Sequence, residues 1–218
     1  MARRLAPLTL DTLPDLPDPC RGCVVWELDP VAARRATEVG DTAFEKEAWV
    51  SATLLEWGSC GRIAYVDDDA AGFVLYAPPA FVPRSMAFPT SPVSGDAVLL
   101  MAARIRPEHR GGGLARMLVQ GAAKDLTRRG VRAIEAFGLA AAAAAAEPEE
   151  SESSACLVPA DFLLSVGFKT VRQHHRYPRL RLDLKTALSW REDVEQALER
   201  ILGSVRPPAL TTQHRASH

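Results

Sequence analysis

A near-continuous apolar strand, a run of three glycines and an amphipathic helix follow one another in the middle of the chain, and no other feature constrains the fold as strongly. The strand spans 97–105, and its unbroken apolar character is typical of a strand covered on both faces. Gly111–Gly113 lead into a helix whose apolar residues recur at helical spacing from Leu114 to Leu126. Gly130 ends the helix, and Val131–Phe137 is expected to be a second strand. The segment is therefore predicted to be a βαβ unit.

The three glycines lie where the backbone of this unit would approach a ligand. The first N–H groups of a helix have no partner inside the helix, and the helix dipole adds about half a positive charge there. Glycines remove the side chains that would hold an anion away, so a phosphate or pyrophosphate is the expected ligand. A dinucleotide fingerprint starting at Gly111 is excluded because position 116 is Arg116, and the chain has no Gly-Lys-[Ser/Thr] sequence for a P-loop. The alternative is a tight turn that binds nothing.

Residues 110–115, Arg-Gly-Gly-Gly-Leu-Ala, match the [Gln/Arg]-x-x-Gly-x-[Gly/Ala] signature of the GNAT-type N-acetyltransferases. The surroundings resemble that family as well, because two predicted helices and a hairpin precede the strand, and residues 163–168, Leu-Leu-Ser-Val-Gly-Phe, are similar to its last helix–strand junction. The resemblance covers roughly residues 24–184. It implies an α+β fold with a mixed, mostly antiparallel twisted sheet and helices on both faces, to which this chain would add a C-terminal helix.

The same resemblance implies acetyl-CoA as the co-substrate and an amine, of a small molecule or a protein, as the acceptor. The amine would attack the thioester directly, and a backbone N–H of the strand would polarise the thioester carbonyl. The strand edge that would pair with the pantetheine arm comprises Ala103, Arg104 and Ile105. The backbone amides that would hold the CoA pyrophosphate are those of Arg110, Gly111, Gly112, Gly113, Leu114, Ala115 and Arg116.

The acid and the base of the reaction are less defined than the co-substrate. Many GNAT enzymes have a tyrosine in the last helix that protonates the leaving thiolate, and residues 155–167 contain none. Glu135, on the strand after the signature helix, is the preferred general base and Asp96 is the second candidate, although each is also consistent with an ordinary strand carboxylate. The alternative function is a non-catalytic, regulatory module that binds acyl-CoA.

Four further regions are distinguished by composition. Residues 1–23 are expected to form an extended N-terminal arm before an acyl-CoA-binding domain at 24–185. Within that domain, the alanine run and acidic Ser/Glu stretch of 140–154 are expected to be a flexible insertion. Residues 186–206 are predicted to be a helix, for which the sheet and a second subunit of a homodimer are the two alternative packing partners. Residues 207–218 are predicted to be a disordered tail.

Local signals place the helices and the hairpin that precede the central strand. Val31–Val39 follows Asp29-Pro30 and is predicted to be a helix. A second helix is predicted to begin at Thr42 with a capping box to Glu45, and to carry apolar residues at 44, 48, 52 and 55 along one face. Residues 62–66 and 72–76 are predicted to form a β-hairpin.

Charge and cysteine content limit the possible partners. Lys and Arg number 26 against 27 Asp and Glu, a balance that gives no general attraction to nucleic acid or to a membrane surface. No targeting segment or apolar run of about 18 residues is evident, so a cytoplasmic location is expected. The Arg-rich and Ala-rich bias is compatible with a high-GC, actinobacterial genome. Cys20 and Cys23 have the spacing of a metal-ligand or redox pair, but inert thiols and no metal are the default expectation.

Overall fold

The computed structural model describes residues 2–146 and 156–184, which form eight strands and five α-helices linked by short 3₁₀ turns. In chain order these elements are β1 (Arg3–Pro7), α1 (Pro30–Val39), α2 (Thr42–Glu56), β2 (Gly61–Val66), β3 (Asp69–Ala77), β4 (Ala97–Ile105), α3 (Leu114–Arg128), β5 (Ala133–Leu139), α4 (Ala141–Ala146), β6 (Val158–Pro159), α5 (Ala160–Ser165), β7 (Lys169–Arg172) and β8 (Arg179–Asp183).

The strands form one mixed sheet in the order β1-β2-β3-β4-β5-β8-β7, and the short β6 pairs with the end of β5. Neighbouring strands along this path are antiparallel, except that β4 and β5 are parallel. The parallel pair is joined by α3, as the predicted βαβ unit requires. The predicted α+β class, with a mostly antiparallel mixed sheet, is confirmed.

The side chains of β4 alternate between two separate apolar clusters. Leu99 and Met101 pack with the N-terminal segment and α2, whereas Val98 and Leu100 pack with α3 and α5. All four are buried. The central strand is thus covered by other chain segments on both faces, which confirms the prediction made from its continuous apolar sequence.

The first residues belong to the sheet. Residues 3–7, within the predicted N-terminal arm, form the edge strand β1 antiparallel to β2. Leu8, Leu13 and Leu16, which follow β1, are buried in the same cluster as the central strand. The prolines that indicated an extended arm are compatible with this arrangement, because an edge strand has one side that donates no ladder hydrogen bond.

The two helices before the hairpin differ in how well the sequence predicts them. Helix α1 begins at Pro30, and the Asp29 carboxylate caps it by accepting hydrogen bonds from the N–H groups of Val31 at 2.8 Å and Ala32 at 3.1 Å. Helix α2 begins at Thr42 as predicted, but its N-cap is Asp41 and no capping side-chain bond forms. The predicted capping box is therefore wrong.

The buried face of α2 is also different from the predicted one. Phe44 is 68% exposed and Leu55 is 87% exposed, whereas Lys46 is buried together with Val50 and Thr53. The physical reason is a partner that lies far away in sequence. The Lys46 ammonium forms a salt bridge with the buried Glu27 carboxylate and donates a second hydrogen bond to the Cys23 carbonyl at 3.0 Å. An apolar count along the helix cannot anticipate such a pair.

The predicted hairpin is confirmed as β2 and β3. Asp67 and Asp68 connect the strands with positive φ angles of 47° and 74°, which is the backbone that a tight two-residue hairpin turn requires. Within residues 2–146 and 156–184, no helix combines the length and the apolar composition that a membrane crossing needs. The predicted C-terminal helix and tail, and positions 147–154 of the predicted insertion, lie outside the described residues, whereas 141–146 form α4.

The buried salt bridge generates a stability prediction. Replacing Lys46 with Met leaves the Glu27 carboxylate in an apolar environment without its counter-charge, so the free energy of unfolding is expected to fall by about 3–5 kcal/mol. The double variant Lys46→Met, Glu27→Leu removes both charges and is expected to recover most of that loss. Urea denaturation of both variants measures the difference. Equal destabilisation of the single and double variants would contradict the importance of the unpaired charge.

Candidate active site

The parallel pair at the centre of the sheet is short. Strand β4 pairs with β5 only from Ala97 to Leu99, although it continues to Ile105. On its other side, β4 pairs with β3 as far as Ile105, with a register shift that leaves Met101 as an extra residue between Leu100 and Ala102. Such a bulge bends a strand and increases its twist. Beyond Leu99, β4 therefore has an edge that no described residue of β5 covers.

Two N–H groups face this open edge. The Arg106 N–H donates to the Ala71 carbonyl beside β3 at 2.9 Å, and backbone groups alternate in direction along a strand. Arg104 therefore also directs its backbone groups to β3, whereas those of Ala103 and Ile105 face away from it. The Arg110 Nε donates to the Ile105 carbonyl at 3.4 Å, which agrees with that direction. Of the three residues that the sequence analysis assigned to this edge, Ala103 and Ile105 thus offer strand-like donors and acceptors, whereas Arg104 directs its backbone groups to β3.

The glycine run turns the chain from this edge into α3. Gly111 has φ +78° and Gly113, the N-cap of α3, has φ +77°, which is backbone that glycine adopts without a steric penalty. An added Cβ at either residue would meet no atom within 4 Å, so open space lies beside the turn. The amides of Leu114, Ala115 and Arg116 belong to the first helical turn and have no partner inside the helix. The turn fits an anion such as pyrophosphate.

Three arginines surround the glycine turn. The Arg3 guanidinium on β1 donates to the Gly112 carbonyl at 2.6 Å, and the Arg116 guanidinium donates to the Ser165 carbonyl at 3.0 Å. Arg110, like both of these, is exposed. Their positive charges add to the helix dipole and favour a phosphate-bearing ligand. Sequence reasoning missed Arg3, because it lies 109 positions before Gly112 in the chain.

A pocket opens beside the same stretch of β4. It is bounded by the segment before α1, by Lys46 of α2, by the facing parts of β3 and β4, and by Cys156, which lies shortly before β6. We call it the cysteine pocket, and its lining consists of Cys20, Cys23, Trp26, Glu27, Lys46, Phe73, Leu75, Ala102, Ala103, Arg104 and Cys156.

Aromatic rings separate the cysteine pocket from a second one. Trp26 borders both, and its ring stacks on Phe88 at 5.1 Å between centroids, while Phe88 stacks on Phe137 at 4.4 Å. Tyr177 also lines the second pocket and meets the Phe88 ring edge-on. This stack supports the wall between the two pockets with rigid apolar surface.

The cysteines are arranged differently from what their spacing suggests. Cys23 lies against Cys156, with 3.4 Å between their sulfur atoms, whereas the Cys20 sulfur accepts a hydrogen bond from the Arg104 guanidinium at 3.4 Å. Cys60 is fully buried and does not line the pocket. Within the described residues, no group of three or more His, Cys, Asp or Glu side chains is arranged to hold a metal ion.

The two contacting thiols have opposite shifts in acidity. The hydrogen bond with Cys156 lowers the pKa of Cys23 to about 7, helped by the Val25 N–H and the Lys46 charge and opposed by burial and the Glu27 charge. The same contact, together with burial, raises the pKa of Cys156. These opposite directions favour the thiolate on Cys23 and the protonated thiol on Cys156.

Glu135 lies in the sheet, away from both pockets. It is fully buried, and Arg179 and Arg181 contact its two oxygens at 3.1 and 3.2 Å while the Ser94 N–H donates to it at 3.2 Å. These contacts are those of an anchor that joins β5, β8 and the loop before β4. They lend no support to its expected role as general base, which stays a prediction.

Asp96, the second candidate base, pairs with the Arg181 guanidinium through two contacts of 2.9 Å. That charge holds the pKa of the Asp96 carboxyl below its usual range. A carboxylate with a lowered pKa is a weaker proton acceptor. Its position and acidity therefore suit an ion pair better than proton transfer.

A bulged strand with an open edge, followed by a glycine turn at a helix N-terminus, fits an extended, phosphate-bearing ligand. The family model described as the acetyltransferase (GNAT) family matches residues 27–147, which is more than half of the chain. The chain belongs to this family. It is accordingly an acetyltransferase, and acetyl-CoA is its co-substrate.

Solved structures show the same fold at low sequence identity. The PaiA N-acetyltransferase from Thermoplasma acidophilum, in complex with coenzyme A, has a TM-score of 0.52 and 11% identity, with 84% of this chain and 99% of that chain covered. The loading GNATL domain of CurA from Lyngbya majuscula has a TM-score of 0.52 and 14% identity, with 85% and 100% covered. No curated protein matches the sequence.

The glycine turn generates a binding prediction with a matched control. Gly113→Glu places a negative charge where the pyrophosphate would lie, and acetyl-CoA affinity is expected to fall on the order of 100-fold or more. Gly130, at the opposite end of α3, has the same φ of +77° and the same open space, so Gly130→Glu carries a similar backbone strain of about 1–2 kcal/mol. Thermal denaturation with and without acetyl-CoA compares the two. Retained binding by folded Gly113→Glu would place the phosphate site elsewhere.

The contacts of Glu135 generate a second prediction. Glu135→Gln removes the carboxylate that Arg179 contacts and one of the carboxylates around Arg181, which keeps Asp96 and Asp183. The free energy of unfolding is therefore expected to fall by about 1–3 kcal/mol. The pH dependence of acetyl transfer is expected to stay unchanged, because the side chain lies outside both pockets. Kinetics at temperatures where the variant is folded test this. A large loss of kcat together with a changed pH profile would restore Glu135 as the base.

Proposed function

We propose that the protein transfers the acetyl group of acetyl-CoA to a primary amine, of a small molecule or a protein, by direct attack of the amine on the thioester. The observation that carries the proposal is the position of the open edge of β4. This edge runs from the cysteine pocket at Ala102–Arg104 to the glycine turn at Gly111–Gly113. A CoA molecule bound at the turn and extended along the edge would present its thioester at the pocket.

Backbone groups account for most of the proposed co-substrate binding. The amides of residues 110–116 hold the pyrophosphate at the positive end of α3, and the exposed Arg3 and Arg116 add charge. The groups of Ala103 and Ile105 that face away from β3 pair with the pantetheine arm in the manner of an added strand. Such contacts do not depend on side-chain identity, which explains why the glycines dominate the signature.

The thioester carbonyl is polarised by a backbone donor of the open edge. Attack by the amine moves negative charge onto the carbonyl oxygen, and a fixed N–H there stabilises that charge more in the transition state than in the ground state. The N–H of Ala103 is the group of this edge that also borders the cysteine pocket. We assign it the oxyanion contact.

The acceptor enters the cysteine pocket as the neutral amine. An alkylammonium titrates near pH 10, so a proton must leave before attack. Among the described residues that line this pocket, Glu27 is the one carboxylate, and its salt bridge to Lys46 occupies it. The amine therefore loses one proton to solvent on the way into the pocket. After the attack its nitrogen gives up a second proton, and the leaving thiolate of CoA takes up one proton, both through water.

The test is a ligand panel followed by a search for turnover. Acetyl-CoA, longer acyl-CoAs, free CoA, NAD and ATP are compared in thermal denaturation, where a ligand at about 100 times its Kd adds about 2.7 kcal/mol of stability. Stabilisation is expected with the CoA series alone. Amines, peptides with a free N-terminus and lysine peptides are then screened by mass spectrometry for a product 42 Da heavier. Binding of acetyl-CoA without turnover of any amine would instead support a non-catalytic acyl-CoA module.

A further inference from the structure

Two thiols are in contact at the wall of the cysteine pocket, and neither the co-substrate nor the acetyl transfer uses them. Cys23 precedes α1 and Cys156 precedes β6, and they are 133 positions apart. Their sulfur atoms are 3.4 Å from each other, and both residues are partly exposed at the pocket. A pair brought together over such a separation, and accessible from a pocket, has the placement of a reactive site.

We propose that Cys23 and Cys156 are a redox-active dithiol, which a hydroperoxide converts into a reversible disulfide across the cysteine pocket. A disulfide has an S–S distance of about 2.05 Å, so the two sulfur atoms would have to approach by about 1.4 Å. Rotation of either side chain about its Cα–Cβ bond moves a sulfur atom by more than that distance.

The surroundings assign a separate role to each thiol. Hydrogen bonds with the Cys156 thiol and from the Val25 N–H, with the nearby Lys46 charge, keep the pKa of Cys23 near 7 against the effects of burial and of the Glu27 charge. Cys23 is assigned as the nucleophile, because the thiolate is the reactive form of cysteine and the Val25 N–H donates a hydrogen bond to this sulfur. Cys156, whose pKa is raised, stays protonated beside it and is the resolving thiol.

The oxidation balances in two steps. The Cys23 thiolate attacks the outer oxygen of ROOH, the O–O bond breaks, Cys23 becomes a sulfenic acid, and the alkoxide takes a proton to leave as ROH. The Cys156 sulfur then attacks the sulfenic sulfur, the S–S bond forms, and the hydroxyl leaves with the thiol proton as water. The two thiols lose two electrons, and the hydroperoxide gains them.

Cys20 and Cys60 are less suited than Cys156 to form a disulfide with Cys23. Cys20 is buried, and its sulfur contacts the Arg104 guanidinium rather than Cys23. Cys60 is fully buried, and burial raises its pKa to about 12, so it carries almost no thiolate at neutral pH. The structure therefore selects one of the possible disulfides, although the Cys-x-x-Cys spacing alone favours Cys20 with Cys23.

The bond would also change the pocket that the proposed function assigns to the acceptor. It would link the segment before α1 covalently to the segment before β6, both of which line the pocket, and draw them together. This consequence rests on the proposed function, whereas formation of the disulfide does not. Since the thiols are separate from Gly111–Gly113, oxidation is expected to slow acetyl transfer and to leave the stabilisation by acetyl-CoA largely intact.

Peptide mapping tests the dithiol directly. Trypsin separates all four cysteines, because it cleaves after Arg21, Lys46 and Arg132, and it places Cys23 in the peptide 22–34 and Cys156 in 133–169. The reduced protein is treated with hydrogen peroxide, blocked with an alkylating agent and digested. A linked pair of these two peptides, lost on treatment with dithiothreitol, is the expected result. Four unlinked thiols, or a disulfide that joins Cys20 to Cys23, would overturn the proposal.

Variants separate the nucleophile from the resolving thiol. In Cys156→Ala the disulfide cannot form, and Cys23 is expected to accumulate as a sulfenic acid that dimedone traps. Loss of the Cys156 hydrogen bond also raises the pKa of Cys23, so alkylation by iodoacetamide is expected to reach its half-maximal rate at a pH above 7. Cys60→Ala is the matched control and is expected to retain the wild-type disulfide. Sulfenic acid on Cys156 in a Cys23→Ala variant, with none on Cys23 in Cys156→Ala, would reverse the roles and contradict the argument.

An activity measurement distinguishes this proposal from the proposed function. With an amine identified in the acceptor screen, oxidised wild type is expected to transfer acetyl several-fold more slowly than the reduced protein, and peroxide is expected to leave the rate of Cys23→Ala unchanged. Failure of the mapping removes the dithiol and leaves the acetyl transfer untouched. A mapped disulfide with an unchanged rate supports the dithiol and shows instead that the acceptor does not enter this pocket.

Discussion

The pairing between β4 and β5 ends at Leu99, and the rest of the site depends on that early end. If β4 and β5 stayed in contact, the backbone groups that face each other would be hydrogen-bonded along the whole length of both strands. Here the bulge at Met101 turns β4 away after three paired residues, so the groups of Ala103 and Ile105 remain available to a ligand. In the proposed function, the interrupted centre of the sheet is the binding surface, and main-chain groups recognise the co-substrate.

Where β4 and β5 separate, β5 needs other contacts to stabilise it. The carboxylate of Glu135 on β5 is held by Arg179 and Arg181 of β8, and Arg181 continues to Asp96 in front of β4. The ion pairs thereby connect both strands of the short parallel pair just before they separate. Charged groups at this depth are stable only with partners, which accounts for two arginines around one buried carboxylate.

The sequence predicts the features whose causes are local. The glycine turn, the central strand and the hairpin follow from residues a few positions apart, and the structure confirms them. The sequence does not predict the features that depend on distant partners. Lys46 is buried because it pairs with Glu27, 19 positions earlier in the chain. Cys23 contacts Cys156 rather than Cys20. The apolar periodicity of a helix places a lysine on its exposed side, because a periodic pattern contains no information about a counter-charge elsewhere in the chain. The sequence predicts that Glu135 lies on the strand after α3, which is β5. Its arginine partners lie on β8, more than 40 residues later in the chain.

The hydrogen bond between Arg3 and the Gly112 carbonyl joins the edge strand β1 to the glycine turn. Whatever fixes the turn also reduces the freedom of β1, and the reverse holds by thermodynamic linkage. A ligand that bound more tightly to the ordered turn would therefore also favour the ordered edge strand.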